Sequence, residues 1–444
     1  MEEKTQMVSG AGAAPTIIGG QLGAGPTVMG APAMALQAEC ISGHAIAPTA
    51  GMRDHALLVL RAAGQQTGRR APVNVCLCID RSGSMEGEPI EYVKRACDHV
   101  VDMLEPTDIL SIVVFEEQID VLMPARRVVN KDLVKQHIHR LEVGNTTNLY
   151  DGMIAACAQV SSVMGQAAGY VSRVLLLTDG EPTAGLKDYT SIVQAVADQR
   201  SRGITISALG FGPDYNEELM AGIAKRSGGS YYHIQRSDML PEVFRHELHT
   251  MMSTAARNVT VRLEPARWVQ IRQVYGQAAS WSGRGMEMQL SDIERGTAQT
   301  VLFEMELERH SAGRYRVAQA LIQYEDIAMG CRQSLRSDVV VDFDASASAA
   351  APLSEVVAAE LEMARASADL QRTVMGMRTQ QITAIGAAAQ LEKTRAMLAH
   401  AGAAGSAREV DEALNALRHG GADAQKTLMG AIVSLDQGRR EEGS

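Results

Sequence analysis

Short apolar runs alternate with amphipathic stretches through the middle of the chain. Val73-Asn74-Val75-Cys76-Leu77-Cys78-Ile79 and Val174-Leu175-Leu176-Leu177 are nearly unbroken apolar runs. A strand covered on both faces needs that pattern. The pattern predicts strands near 73–79, 109–115, 119–123, 172–178, 203–209 and 229–234. Helices are expected near 88–104, 130–141, 148–163, 188–201, 215–226 and 238–252. The first of them opens at Glu88-Pro89, where a missing proline N–H costs nothing. Strand–helix alternation means parallel strands joined by right-handed crossovers.

The pattern changes after about residue 253. Val259–Leu263, Val269–Tyr275, Met286–Leu290, Thr300–Leu307, Tyr315–Tyr324 and Val339–Phe343 read as spaced strands without helices between them, the pattern of a β-sandwich. Two early runs, Met34–Ile41 and Ala56–Leu60, have no neighbours of their own and are expected to join that later sheet. From 354 the chain turns alanine-rich and helical, with a capping box at Ser406-Ala407-Arg408-Glu409 and three or four helices expected. The fold class is therefore α/β: a doubly wound, mostly parallel sheet inserted in a β-sandwich and followed by a C-terminal helical bundle. The divisions are a Gly/Ala/Pro/Thr tail at 1–33, read as disordered, the first sandwich strands at 34–70, the α/β domain at 71–252, the sandwich at 253–345 and the helices at 354–440.

Candidate chemistry sits where the strands end. Asp80-Arg81-Ser82-Gly83-Ser84 puts a carboxylate and two hydroxyls at alternate positions as the chain leaves the first apolar run. Such residues also make ordinary turns, but hard oxygens suit magnesium or manganese. Gly144-Asn145-Thr146-Thr147-Asn148-Leu149 opens a helix, and Thr178-Asp179-Gly180 ends another buried strand. Over roughly 70–252 the chain resembles the von Willebrand factor A family. The match lies in Asp80, Ser82 and Ser84, then Thr147, then Asp179. The resemblance implies a Rossmann-like sheet with one short antiparallel edge strand and a metal-ion-dependent adhesion site. Ser82, Ser84 and Thr147 would bind a magnesium or manganese ion directly, Asp80 and Asp179 directly or through water. Gly83 would let the loop fold tightly, and a protein partner would supply an Asp or Glu to the open metal position.

Composition narrows the function classes. The net charge of −10 argues against nucleic acid as a main partner, and no apolar run reaches the length of about 18 residues that a membrane span needs. Met1-Glu2-Glu3-Lys4-Thr5 does not read as a signal peptide. The six cysteines lack zinc spacing and suit a reducing compartment. Cys76 and Cys78 face one side of a strand, as small core residues. The expected location is cytoplasmic.

An enzyme is not expected. Glu86, Glu88 and Glu181 flank the candidate loops, but His246-Glu247-Leu248-His249 lacks the H-E-x-x-H spacing and reads as decoration of a helix. Pro-Thr-aliphatic-aliphatic-Gly occurs twice in the tail, which makes Thr16 and Thr27 candidate phosphorylation sites. The expected function is a magnesium-dependent protein–protein adaptor, linked to a phosphothreonine-binding protein or an AAA+ ATPase. In that reading Asp80→Ala or Thr147→Ala abolishes partner capture and spares the fold. The alternatives are a surface adhesin-like binding protein and a metal-dependent hydrolase.

Overall fold

The computed structural model describes residues 34–62, 70–165, 169–212, 214–346, 350–419 and 423–441. The tail, with Thr16 and Thr27, lies outside the described residues. The described residues begin with strands β1 (Leu36–Ser42), β2 (Ile46–Pro48) and β3 (Met52–Ala62). The α/β unit follows: β4 (Val73–Asp80), α1 (Glu88–Met103), β5 (Ile109–Phe115), β6 (Ile119–Arg127), α2 (Lys131–His139), α3 (Leu149–Met164), β7 (Val171–Thr178), α4 (Tyr189–Ser201), β8 (Thr205–Phe211), α5 (Glu217–Ser227), β9 (Tyr231–Ile234) and α6 (Leu240–Ser253). Next come β10 (Thr254–Pro265), β11 (Val269–Val274), β12 (Ala279–Ser282), β13 (Gly285–Gln289), β14 (Ile293–Glu294), β15 (Thr297–Leu307), β16 (Gly313–Asp326) and β17 (Cys331–Asp344). The last elements are α7 (Glu355–Arg378), α8 (Ala384–His400), α9 (Ala404–Arg418), α10 (Asp423–Gln437) and β18 (Arg439–Glu441).

The α/β sheet has the order β6-β5-β4-β7-β8-β9. Only β6 is antiparallel, and it forms the edge. Every residue of β4 and β7 is buried, because helices cover both faces. Val75, Leu77 and Ile79 pack toward α1 and α6, while Cys76 and Cys78 pack with Met153 and Val160 of α3 and with Ile192 of α4. Each fully buried aliphatic side chain contributes about 1.5–3 kcal/mol. Burial pushes the Cys76 thiol up to about 12, so it stays a neutral core group. Gly152 lets α3 lie against β5, since a Cβ there would come within 2.6 Å of the Phe115 ring.

The early strands do complete the sandwich. β3 lies between β1 and β15, in register from Arg61 opposite Ala298 to Met52 opposite Leu307. One sheet holds β1, β3, β15 and β11, with β18 on β15, and the other runs β12-β13-β10-β16-β17-β2 with β14 on β10. The α/β unit is inserted between β3 and β10. Buried Arg173 of β7 donates to Glu247 of α6 at 2.5 Å, and its 3.4 Å contact with Asp292, beyond β13, links the unit to the sandwich. Glu247 is thus a core residue and not helix decoration.

Among the described residues, four helices form the C-terminal bundle. Val357 and Leu361 of α7 cover Leu57, Val59 and Leu302 on the outer face of the sandwich. Val433 of α10 joins the core of the α/β unit, and Lys426 of α10 lies 4.1 Å from the centre of the Tyr215 ring. The capping box is not formed. α9 starts three residues earlier than the motif implies, with Ala403 at the N-cap and no side-chain cap. Ser406 therefore sits inside the first turn, where its hydroxyl cannot serve the free amides.

Candidate functional site

The chain leaves β4 for β5 on one side, and later leaves β7 for β8 on the other. That reversal between adjacent strands opens a crevice at their carboxyl ends, where open α/β sheets take ligands. Asp80 is the last residue of β4, and Asp179 follows β7. Three loops meet there. Arg81 N–H donates to Phe115 O at 3.0 Å, and Gly144 N–H donates to Arg81 O at 2.6 Å. Thr147 N–H donates to Thr183 Oγ1 at 2.9 Å, and Thr147 O accepts from Thr183 N at 3.0 Å.

All five sequence-selected residues come together. Ser84 Oγ donates to Asp179 Oδ1 at 2.7 Å, and Ser82 Oγ lies 3.1 Å from Ser84 Oγ and 3.5 Å from Asp179 Oδ1. Ser82 N–H donates to Asp80 Oδ1 at 2.8 Å. Thr147 Oγ1 and Ser84 Oγ flank Gly180, at 3.6 and 3.9 Å from where its Cβ would stand. Asp80, Ser82, Thr147 and Asp179 are buried, while Ser84 is exposed at the mouth. Burial pushes the Asp80 carboxyl up to about 6, against the hydrogen bonds from Thr178 and Ser82. Burial also raises that of Asp179.

Sequence reasoning missed several supports. Thr178 Oγ1 donates to Asp80 Oδ2 at 2.5 Å, and Arg81 braces the rim through Asp120 at 2.6 Å. Thr178 stood beside Asp179 in the motif, but its inward direction depends on strand phase. Gly83 has an ordinary φ and an open position, its Cβ site lying 3.5 Å from Gly144 O. The left-handed turn belongs to Gly87, with φ 90°.

The metal expectation is corrected. Among the described residues, no group of three or more His, Cys, Asp or Glu side chains could hold a metal ion. Asp80 and Asp179 are the carboxylates of the cluster, and their oxygens already accept hydrogen bonds from Ser82, Ser84 and Thr178. An intact metal-ion-dependent adhesion site, its magnesium or manganese ion, and a partner Asp or Glu bridged through that ion are therefore not retained. The adaptor reading built on them goes too, with its phosphothreonine-reader and AAA+ ATPase links. The expectation that Asp80→Ala spares the fold also fails on this geometry. That substitution strands the buried Ser82 amide and leaves the Thr178 hydroxyl only its longer bond to Gly180 O, at 3.3 Å. An orphaned buried amide costs about 1–3 kcal/mol, so urea denaturation is expected to give a loss of about that size.

Residues 74–246 match the family model of the von Willebrand factor type A domain. An uncharacterized protein of Synechocystis sp. is 28% identical over 63% of this chain and 68% of its own length. The uncharacterized protein YfbK of Escherichia coli is 29% identical over 54% of this chain, a match spanning 42% of that protein. Among solved structures, a von Willebrand factor type A protein from Catenulispora acidiphila superposes with a TM-score of 0.70 at 18% identity, covering 85% of this chain and 89% of that one. The ArnB paralog VWA2 from Sulfolobus acidocaldarius gives 0.62 at 15% identity, covering 90% and 98%. Residues 74–246 thus form a domain of the von Willebrand factor type A fold, whose members are typically protein-interaction modules and not catalysts.

Proposed function

We propose that this chain is a non-catalytic binding protein that meets a protein ligand in the manner of an adhesin, across an open face at the carboxyl ends of β4 and β7. The observation that carries this reading is the hydroxyl–carboxylate cluster gathered from three loops, with Ser84 exposed in front of buried Asp80 and Asp179. A hydrogen-bonded cluster of this kind holds the rim rigid, which lowers the ordering cost of association. Gly83, Asn145, Glu181 and Leu186 are exposed around it, giving a polar rim with one apolar contact. Likeness to adhesins lies in the mode of contact and not in the address. Among the described residues no helix is long and apolar enough to cross a membrane. The six free cysteines, four of them buried, favour the cytoplasm as the working compartment.

Gly83→Arg provides a clean block, because its ordinary φ and open Cβ position tolerate a side chain that then projects over the mouth. The full chain serves as bait in the lysate of its own cells, beside Gly83→Arg and a distant surface variant, Ser280→Arg. At least one protein is expected to fall about 30-fold or more with Gly83→Arg alone, the effect of losing about 2 kcal/mol at a binding hot spot. The same proteins recovered by all three baits would overturn the reading.

A further inference from the structure

The C-terminal helices rest on the α/β unit through one face of α10. Asp423, Lys426, Met429, Val433 and Asp436 recur at the spacing of a single helical face, and each meets that unit. Ala424, Leu428, Ala431 and Leu435 pack instead into the bundle. At the Asp423 end the contact is polar and holds an imidazole, His233 of β9, whose side chain is only 5% exposed.

Three side chains form a chain there. Tyr231 Oη lies 2.8 Å from Tyr215 Oη, which lies 2.8 Å from His233 Nδ1. One polarity leaves no hydroxyl proton stranded: Tyr231 donates to Tyr215, Tyr215 donates to Nδ1, and the ring carries its proton on Nε2. Nε2 has no hydrogen-bond partner among the described residues. Asp423 Oδ1 stands 3.8 Å from it, beyond hydrogen-bond reach. The ring is thus built in as a neutral acceptor. A second proton reverses the chain. Nδ1 must then donate to Tyr215 and Tyr215 to Tyr231, whose hydroxyl has no second partner among the described residues. Tyr231 is buried, so its proton is stranded at a cost. The ring charge is also poorly compensated. α10 presents Asp423, but one turn on it presents Lys426, which donates to Gly212 O at 3.4 Å. Burial holds the imidazole down to about 4; the charges of Asp423 and of Glu217 on α5 act against that, and Lys426 acts with it.

We propose that His233 is a proton-sensitive latch between the α/β unit and the C-terminal helices, and that charging its ring undocks the first two turns of α10. Undocking returns the ring to water, where it titrates near 6.5. The docked state therefore binds fewer protons than the open one. The dock has its full strength above about pH 6.5 and weakens as pH falls toward about 4, below which nothing more is lost. From pH 7 to pH 5 the open fraction rises about 20-fold on this account.

Amide exchange of the full chain, followed by mass spectrometry and expressed as protection factors, tests this between pH 7 and pH 5. Peptides over residues 424–430 should lose protection about 20-fold across that range, while those over β4 and β7 keep theirs. His233→Asn leaves an acceptor oxygen for Tyr215 and takes up no proton. Shown to be folded by circular dichroism, it should lose less than about threefold over the same peptides. Slow exchange of the imidazole C–H reads the ring directly in the wild type, with no variant needed, and should place the His233 titration well below its ordinary value. Four outcomes would each overturn the proposal: constant protection over 424–430, the same loss in His233→Asn, an equal loss throughout β4 and β7, or a His233 ring that titrates at its ordinary value.

Discussion

Replacing Glu247 by alanine is expected to cost about 3–5 kcal/mol, because it leaves the Arg173 guanidinium charged and buried without its main partner. Glu247 holds more than one group. It accepts from Arg173, from Ser207 and from Tyr232, the last at 2.7 Å. Asp292 stays near Arg173 at 3.4 Å, too long to take over the pair. The double variant Arg173→Met, Glu247→Leu should recover most of the loss, since an apolar pair of similar volume leaves no stranded charge. Burial by itself would raise the Glu247 carboxyl; the Arg173 charge and the hydrogen bonds from Ser207 and Tyr232 more than offset it and hold it down to about 2. An unfolded glutamate titrates near 4.3. The pair's contribution is therefore fully present above about pH 4.3 and is lost as pH falls through about 2. Urea midpoints measured from pH 7 to pH 2 should show wild type and Glu247→Gln converging over that lower window. A gap that stays constant across it would contradict this account.

The doubly wound sheet was legible because strands covered on both faces need unbroken apolar runs, and Val73–Ile79 and Val174–Leu177 supply them. The convergence of Asp80, Ser82, Ser84, Thr147 and Asp179 was legible for a related reason: each polar group stands where a buried strand ends or a helix begins. What the cluster holds was not legible. The spacing of hydroxyls and carboxylates resembles a metal site, yet the donor set lacks a third acidic or imidazole group, and its oxygens satisfy one another. Sheet order was also beyond reach, since periodicity tells which face is covered and not which strand lies alongside. Short strands such as β14 and β18 carry too few residues to show a period. Glu247 looked like helix decoration because its partners, Arg173 and Ser207, are remote in sequence. Ser406 failed as a cap for a local reason. α9 begins at Ala404 without any side-chain cap, a start that a search for Ser-x-x-Glu does not register.

Substitution of Asp436 by alanine is expected to cost about 3 kcal/mol and to loosen all three units of the fold together. The carboxylate is buried at the end of α10. It accepts from Ser367 Oγ at 2.6 Å and Gln371 Nε2 at 3.1 Å on α7, and it pairs with Lys225 on α5. Its main-chain oxygen accepts from Gln277, beyond β11, at 2.9 Å. The residues that follow continue the same connection. Gln437 Nε2 donates to Gly229 O at 2.7 Å, Gly438 O accepts from Thr300 N at 2.9 Å, and Arg440 pairs with Glu360 of α7 at 2.8 Å. Hydrogen bonds to a buried charge contribute about 1.5–3 kcal/mol each, and those of Ser367 and Gln371 lose their acceptor at once. Units joined by such contacts open as one only while the contacts hold. Amide exchange should therefore quicken at Thr300 in β15, along α7 and at the start of β9 in Asp436→Ala, while the midpoint of urea unfolding falls. Asp436→Asn, which keeps one acceptor oxygen, should show a smaller effect at every one of these places. Faster exchange confined to the helical bundle would mean that Asp436 serves that bundle alone, and the proposed connection through Lys225 and Thr300 would have to be abandoned.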